Sequence, residues 1–524
     1  MKFMNAIKST LDNEYNVKVT ENGAVGYRTS GKELLDLNFA VASLRNMTDD
    51  EIAHRFRRAF CEDNVLAMKW LFYARDARQG LGERRLFRVV LADLVRSNPE
   101  MVIPVINLIP EYGRYDDLWC LLDDPNSAVT VYQIVDAQLA QDFNNMLANK
   151  PISLLAKWMP SINASSLMTK EYGKKLCKAL RLSERDYRKV LSKLRKYLDV
   201  VEVKMSENNW SEIKYEAVPS RANLIYNSAF LKNDEKRRRD YLGKLEKGET
   251  KINASTLFPH DIVNKYTGGG CYGMAPKDAT IEALWKALPD MVKGCGNTIV
   301  VADGSGSMTS RVDPKSSVSA LDVANALAIY FAEHSSGQFK DKYITFSERP
   351  QFVDFSHCNS LHAKLQTARS HNEVANTNIE AVFDMILTTA INHHMSQDDL
   401  PANILIISDM EFDACTTSNT AGGHRDVWRY WHAPKIAPTQ RLFDAIAQKY
   451  SNAGYKMPRL VFWNVASRTG TIPVKENDLG VALVSGFSVN VAKMVMSGKT
   501  DPFECLLETL NSERYAPVER ALKG

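Results

Sequence analysis

The sequence predicts a two-part chain, an N-terminal all-α array of helix pairs followed by a C-terminal doubly wound α/β domain, and three observations predict it. From about residue 48 to 290, apolar residues recur at helical spacing in consecutive segments of similar length joined by short loops. After Gly296 the text changes to continuous apolar runs alternating with helical segments, the pattern of a mostly parallel sheet covered on both faces. Between the two, the run Gly268-Gly269-Gly270 marks the change in composition, so the chain divides into 1–290 and 291–524.

In the first part, Thr48-Asp49-Asp50-Glu51 is a capping box, and Ile52, Phe56, Ala59 and Phe60 continue it as an amphipathic helix. A second helix is expected over 64–79, carried by Leu66, Trp70, Leu71, Tyr73 and Ala74 and ended by Gly80 and Gly82. A third follows over 83–96 on Leu86, Val89, Val90, Ala92 and Leu94. Prolines 99, 104, 110, 151 and 160 punctuate the text beyond, with helices expected at 114–122, 129–148, 183–198, 221–231 and 235–247. Helix pairs of this kind stack as a curved solenoid. No fixed period recurs, so the array is irregular. In the second part, strands are expected at 297–303, 342–346, 403–409, 459–464 and 480–485, an edge strand at 351–355, and helices at 317–334 and 378–393. Trp70, Trp119, Trp158, Trp210 and Trp463 fall within apolar patterns and read as core anchors.

Composition sets the broad class. With 524 residues, 45% hydrophobic and 24% charged, the chain has the make-up of folded globular domains, two or three of them. Polar residues interrupt the first eight positions, and no run of 18 apolar residues follows, which predicts a cytoplasmic protein without a signal or membrane segment. Eight cysteines are spread with no pair at knuckle spacing, which points to reduced thiols. His357, Cys358 and His362 are close in sequence, but their spacing fits no ligand pattern. The net charge of +4 is uneven: residues 170–251 hold 22 Lys/Arg against 13 Asp/Glu. Lys174, Lys175, Lys178, Arg181, Arg185, Arg188, Lys189, Lys193, Arg195 and Lys196 cluster there, and Lys236-Arg237-Arg238-Arg239 follows. Such runs are either solvated helix faces or a footprint for RNA phosphates.

In an open parallel sheet, ligands bind outside the carboxyl ends of the strands. Three polar clusters fall at such places. Asp303-Gly304-Ser305-Gly306-Ser307 follows the first expected strand, Thr377 opens a helix, and Asp409 closes the strand at 403–409. The two glycines let the loop turn tightly, so that Ser305 and Ser307 can share a centre with Asp303, Thr377 and Asp409. Only hard oxygen donors are offered, which suits Mg²⁺ or Mn²⁺ over zinc or copper. Glu411 and Asp413 either bias the charge of this loop or are exposed turn residues.

The order D-x-S-x-S, Thr, Asp resembles the metal-ion-dependent adhesion site (MIDAS) of von Willebrand factor A domains, over about 296–498. That resemblance implies a Rossmann-like fold. It also implies direct coordination by Ser305 and Ser307, by Thr377 in one state, and mostly water-mediated contacts from Asp303 and Asp409, with a partner's carboxylate able to complete the shell. Three segments of the first part are similar to the TROVE module of Ro ribonucleoproteins and to a widespread uncharacterised family of plants, fungi, bacteria and viruses. They are the stretch from Trp70 through Ala74-Arg75-Asp76 to Arg85, Ile109-Pro110-Glu111-Tyr112-Gly113-Arg114-Tyr115-Asp116-Asp117-Leu118-Trp119, and Leu155-Ala156-Lys157-Trp158-Met159-Pro160-Ser161. The resemblance implies HEAT-like repeats that close into a ring and bind structured RNA or single-stranded RNA ends.

These readings converge on a non-catalytic, Mg²⁺-binding RNA scaffold. The candidate RNA contacts are Lys174, Lys175, Arg181, Arg185, Arg188, Lys189, Lys193, Arg195, Lys196, Arg237, Arg238 and Arg239. The alternative is a module that uses its metal to engage an acidic protein ligand without RNA. An enzyme is not expected, since no general base is fixed beside the metal by motif and no phosphate-binding loop or nucleophile elbow occurs.

Overall fold

The computed structural model describes residues 4, 15–19, 25–268, 273–292, 297–346, 350–372, 379–411, 446–467, 472, 481–491 and 501–524. The chain divides into a helical unit (48–257, 278–289 and 510–524) and a sheet unit (1–47, 258–277 and 290–509). A single cut near 290 is the sequence expectation; the chain instead crosses between units repeatedly. The reason is visible at 33–44. Leu34, Leu35, Leu37, Phe39 and Val41 lie on helices too short to bury themselves, and all are buried within the sheet unit.

The helical unit opens with α1 (Asp49–Glu62), capped as the sequence predicts. The Thr48 amide donates to Glu51 Oε2 at 2.8 Å and the Glu51 amide donates to Thr48 Oγ1 at 3.3 Å. Next come α2 (Asn64–Arg75), α3 (Arg84–Ser97), α4 (Pro125–Leu147), α5 (Leu167–Ala179), α6 (Glu184–Tyr197), α7 (Ser220–Asn233) and α8 (Glu235–Glu246). α2 stops four residues before the expected end because Asp76, not Gly80, terminates it: Asp76 Oδ1 accepts the amides of Arg78 and Gln79 at 2.9 and 3.3 Å. The expected helix at 114–122 is a 3₁₀ segment, Tyr115–Leu121. α4 begins at Pro125, earlier than expected, because Asp124 caps it through the amides of Asn126 and Ser127.

Gly80 and Gly113 have packing roles. The loop after α2 folds back so closely that a Cβ on Gly80 would collide with the Tyr73 carbonyl oxygen. A backbone oxygen cannot swing aside, so Gly80→Ala is expected to destabilise the unit by about 1–3 kcal/mol. Urea unfolding of the helical unit checks this, and an unchanged midpoint would contradict it. Gly113 is confined in the same way, since a methyl group there would collide with Asp117 Oδ2.

Buried ion pairs in this unit engage Arg75 and Asp76 of the Trp70 motif and Asp117 of the Ile109 motif. Asp117, fully buried, accepts from Arg75 Nε at 2.8 Å, Arg88 Nε at 2.7 Å and the Arg114 amide at 3.0 Å. Asp76, also fully buried, accepts from Arg514 Nε at 2.8 Å. The C-terminal helix Ala516–Lys523 is held by a partly exposed pair, the buried Lys69 Nζ to Glu519 at 2.9 Å.

The sheet unit has a short antiparallel pair, β1 (Val17–Val19) and β2 (Val25–Tyr27), and a six-stranded sheet. The sheet consists of β3 (Thr298–Asp303), β4 (Lys342–Phe346), β5 (Phe352–Asp354), β6 (Asn403–Ser408), β7 (Arg459–Asn464) and β8 (Val481–Ser485), in the order β5-β4-β3-β6-β7-β8. All pairs are parallel except β4 with β5; β5 is the edge strand expected from sequence, and it runs antiparallel. Helix Ala320–His334 is buried on nearly every side, capped by Ser319 through the Asp322 amide. Ile299, Val301, Ile404, Ile406, Leu460 and Phe462 lie in a core shared with Val382, Phe383 and Tyr450. No described helix is long and apolar enough to cross a membrane.

Candidate functional site

β3 and β6 are neighbours in parallel register, with Ala302 opposite Ile407. Their carboxyl ends therefore bring Asp303 beside Ser408 and Asp409, as the order of strands in an α/β sheet requires. Asp303 is held on both oxygens. Oδ1 accepts the Ser305 amide at 2.9 Å, and Oδ2 accepts the Ser408 hydroxyl at 2.6 Å. The loop then makes a 3₁₀ turn, Gly306–Thr309, that places Ser305 Oγ 3.0 Å from Ser307 Oγ. Asp409 Oδ1 accepts the Glu411 amide at 3.2 Å.

The electrostatics are those of a buried cluster of carboxyl groups. Asp303 and Asp409 are each only 2% exposed. Burial, then the negative charge of Asp409, pushes the Asp303 carboxyl up to about 7, against the pull of its bonds to Ser408 and Ser305. Glu411 is buried too, bonded by the Ser467 hydroxyl at 3.4 Å, so of the two readings of this residue the exposed turn is excluded. Between the acids, Met410 has a positive φ of 62°, a conformation that costs energy for a residue with a side chain. Thr377 and Asp413 lie outside the described residues.

The donor chemistry fits a hard cation. Two buried carboxylates and two adjacent hydroxyls converge without any thiolate or imidazole. Among the described residues no trio of His, Cys, Asp and Glu is gathered as a metal cluster. The His357 segment does not assemble one: His362 Nε2 bonds the Ala275 carbonyl at 3.1 Å and Cys358 Sγ lies 3.5 Å from Thr367 Oγ1. Ser408 is the member of this site whose role sequence reasoning missed. A polar residue ending the apolar run before Asp409 is the signal for Ser408.

The candidate RNA contacts separate into two groups. Lys174, Arg181, Arg185, Arg188, Lys189, Lys193, Lys196 and Arg239 are exposed. Three arginines are instead engaged by groups of the helical unit. Arg195 donates to the carbonyls of Ala156 and Met159 at 2.8 Å and to Ser161 Oγ at 3.1 Å. Arg237 donates to the carbonyls of Trp210 and Ile213 at 2.8 and 2.7 Å. Arg238 is fully buried, bonded to Asn223 Oδ1 at 3.1 Å and lying over Tyr215, Phe230 and Tyr241. The run at 237–239 therefore does not present three cations to solvent, because helical spacing turns Arg238 inward. Lys175 is tied to Asp123 at 2.7 Å, and Arg239 to Glu235 at 2.8 Å. Of the five tryptophans read as core anchors, Trp70, Trp119 and Trp463 are buried, whereas Trp158 and Trp210 are half-exposed.

A family model described as a domain of unknown function, DUF7788, matches residues 297–516, and a second, DUF2828, matches 128–297. The chain is 29% identical over 545 residues to the uncharacterized protein L728 of Acanthamoeba polyphaga mimivirus, a match covering 96% of this chain and 89% of that one. The crystal structure of the Deinococcus radiodurans RO (RSR) protein aligns with a TM-score of 0.45 at 13% identity, covering 90% of this chain and 100% of that one. The chain is thus similar over nearly its whole length to an uncharacterised viral protein, and its segments 128–297 and 297–516 match domain families of unknown function.

Proposed function

We propose that this chain is a non-catalytic RNA-binding scaffold, whose helical unit grips phosphates through α6 and whose sheet unit holds one Mg²⁺ or Mn²⁺ ion. The observation that carries the RNA reading is on α6. Arg185, Lys189, Lys193 and Lys196 recur at spacings that put them on one helix face, all are exposed, and no ion pair engages them among the described residues. Structural arginines nearby are already committed to carbonyls and carboxylates; these four are not. A row of unneutralised cations on a rigid helix suits the phosphate spacing of RNA, with release of counterions as the driving force.

The metal reading rests on the buried acids and adjacent hydroxyls at the carboxyl ends of β3 and β6, and on their resemblance to the von Willebrand adhesion site. Asp303, Ser305, Ser307 and Asp409, with Thr377, would hold the ion. Its charge would offset two carboxylates that otherwise repel each other. The same arrangement suits an acidic side chain of a protein partner at the ion's open position.

Charge reversal tests the RNA reading. Arg185→Glu, Lys189→Glu and Lys196→Glu together are expected to weaken binding of a hairpin RNA at least tenfold and to reduce the slope of log K against log salt by roughly 0.7–0.9 for each phosphate no longer neutralised. Far-ultraviolet circular dichroism should be unchanged, since all three residues are exposed. Unaltered affinity and slope would remove α6 from the interface.

A further inference from the structure

From Phe143 to Lys170 the chain holds no aspartate or glutamate, and its only charged residues are Lys150, Lys157 and Lys170. Four large apolar side chains of this stretch stand in solvent: Leu147, Leu154, Leu167 and Met168 are 73%, 52%, 76% and 62% exposed. A lone exposed leucine needs no explanation; four in one acid-free stretch call for one. The first two flank a turn that hydrogen bonds fix in place. Leu147 ends α4, and Leu154 precedes the helical turn Leu155–Trp158. Between them, the Asn145 side-chain amide donates to the Pro151 carbonyl at 3.3 Å. Ser153 donates to both oxygens of the buried Asp142, at 2.9 Å from its amide and 2.7 Å from its hydroxyl. Cations gather beside this turn. The Tyr197 hydroxyl donates to the Lys150 carbonyl at 2.9 Å, and the Lys193 ammonium lies 5.8 Å from the centre of the Phe143 ring, one helical turn before Leu147. The end of α6 therefore runs alongside the end of α4. Lys150, Lys193 and Lys196 are exposed, and no ion pair engages them among the described residues. The acids nearest in sequence are occupied, Asp142 by Ser153 and Asp199 by Lys204 at 2.7 Å.

We propose that this corner of the helical unit docks on an anionic lipid bilayer, with Leu147 and Leu154 entering the interfacial layer and Lys150, Lys193 and Lys196 meeting the headgroups. The lysines select an anionic partner, and the leucines select among anionic partners. RNA presents phosphates and sugars on its outside and stacks its unpaired bases on aromatic rings, so aliphatic tips gain little from it. A protein face would need a pocket matched to each tip. A fluid interface accepts them without one, and each lysine brought to an anionic surface strengthens attachment about fivefold. Two leucines and three lysines give reversible attachment to the surface and no crossing of the bilayer. The inference does not require that α6 binds RNA, although Lys193 and Lys196 belong to both faces, and the experiment separates the two.

The full chain, free of RNA, is sedimented at low salt with vesicles of phosphatidylcholine alone or of phosphatidylcholine mixed with phosphatidylserine. The expected result is capture by the phosphatidylserine vesicles only, weakened as salt rises. Leu147→Ser with Leu154→Ser should reduce capture at least about tenfold. Hairpin RNA affinity and the circular dichroism spectrum should not change in that variant, since both side chains are exposed. Lys150→Glu with Lys193→Glu should abolish capture. Leu147→Trp should add a blue-shifted component to tryptophan emission on phosphatidylserine vesicles, which Ile225→Trp, at an exposed apolar position on α7, should not. No capture at low salt overturns the proposal. So does capture that the serine variant leaves intact, which would mark charge attraction alone, or an equal blue shift at Ile225, which would mark unspecific adsorption. A matching loss of RNA affinity in the serine variant would assign the leucines to an RNA interface instead. Capture by a chain that binds no RNA would remove the scaffold reading and leave this one standing.

Discussion

Asp117→Ala is expected to lower the stability of the helical unit by about 3–5 kcal/mol, the cost of removing one partner from a buried charge cluster. The size follows from what remains. Arg75, whose side chain is 3% exposed, would keep its charge with its carboxylate gone, and Arg88 would lose one of its two acidic partners. The Arg114 amide would lose its acceptor as well. Asp117→Asn keeps the volume but not the charge, and should recover only a minor part of the loss. By contrast Arg239→Ala, which breaks an exposed pair with Glu235, should change stability by less than about 0.5 kcal/mol. Urea denaturation of the full chain, with the helical transition followed by circular dichroism, ranks the three. A small effect from Asp117→Ala would mean that the cluster is hydrated and does not organise the unit.

Millimolar Mg²⁺ is expected to raise the melting temperature of the sheet unit at pH 8 and to do little at pH 5. The sign follows from Asp303. Its carboxyl titrates near 7 in the folded chain and near the ordinary value of about 4 when unfolded, so the folded state holds the extra proton between those limits. Stability therefore falls as pH rises from about 4 through about 7, because the folded state is forced to ionise a buried acid beside Asp409. A bound cation removes that penalty, and binds only where the acid is ionised. At a concentration of 100 Kd the gain is about 2.7 kcal/mol, or roughly 5–10 °C for a unit of this size. Asp303→Asn should abolish the Mg²⁺ increment and, without metal at pH 8, be no less stable than the natural chain. An equal increment in the variant, or one independent of pH, would contradict this assignment.

The strands, the edge position of β5 and the capping of α1 are legible in the sequence because each is specified locally, by apolar runs or by a Thr48-to-Glu51 spacing. The convergence of Asp303 and Asp409 is legible too, since both end strongly apolar strands and parallel strands align their carboxyl ends. What escapes is set by packing at long range. Residues 33–44 read as part of the helical half, yet the Asn464 side-chain amide donates to the Phe39 carbonyl, and the Ala42 amide donates to the Ser485 hydroxyl. Nothing in a local window reports those partners. The run at 236–239 reads as one basic patch, but a helix turns one residue in three or four inward, and Arg238 finds Asn223, Asn227 and three aromatic rings there.

The most direct test of the scaffold reading is filter binding of a hairpin RNA with a single-stranded 3′ end to the full chain across a salt series, with and without Mg²⁺. The account predicts tight binding at low salt that falls steeply as salt rises, with the slope reduced by the α6 charge reversals. Absence of binding at low salt, by a chain that is folded and responds to Mg²⁺, would contradict the RNA reading and leave the metal-gated capture of an acidic protein partner in its place.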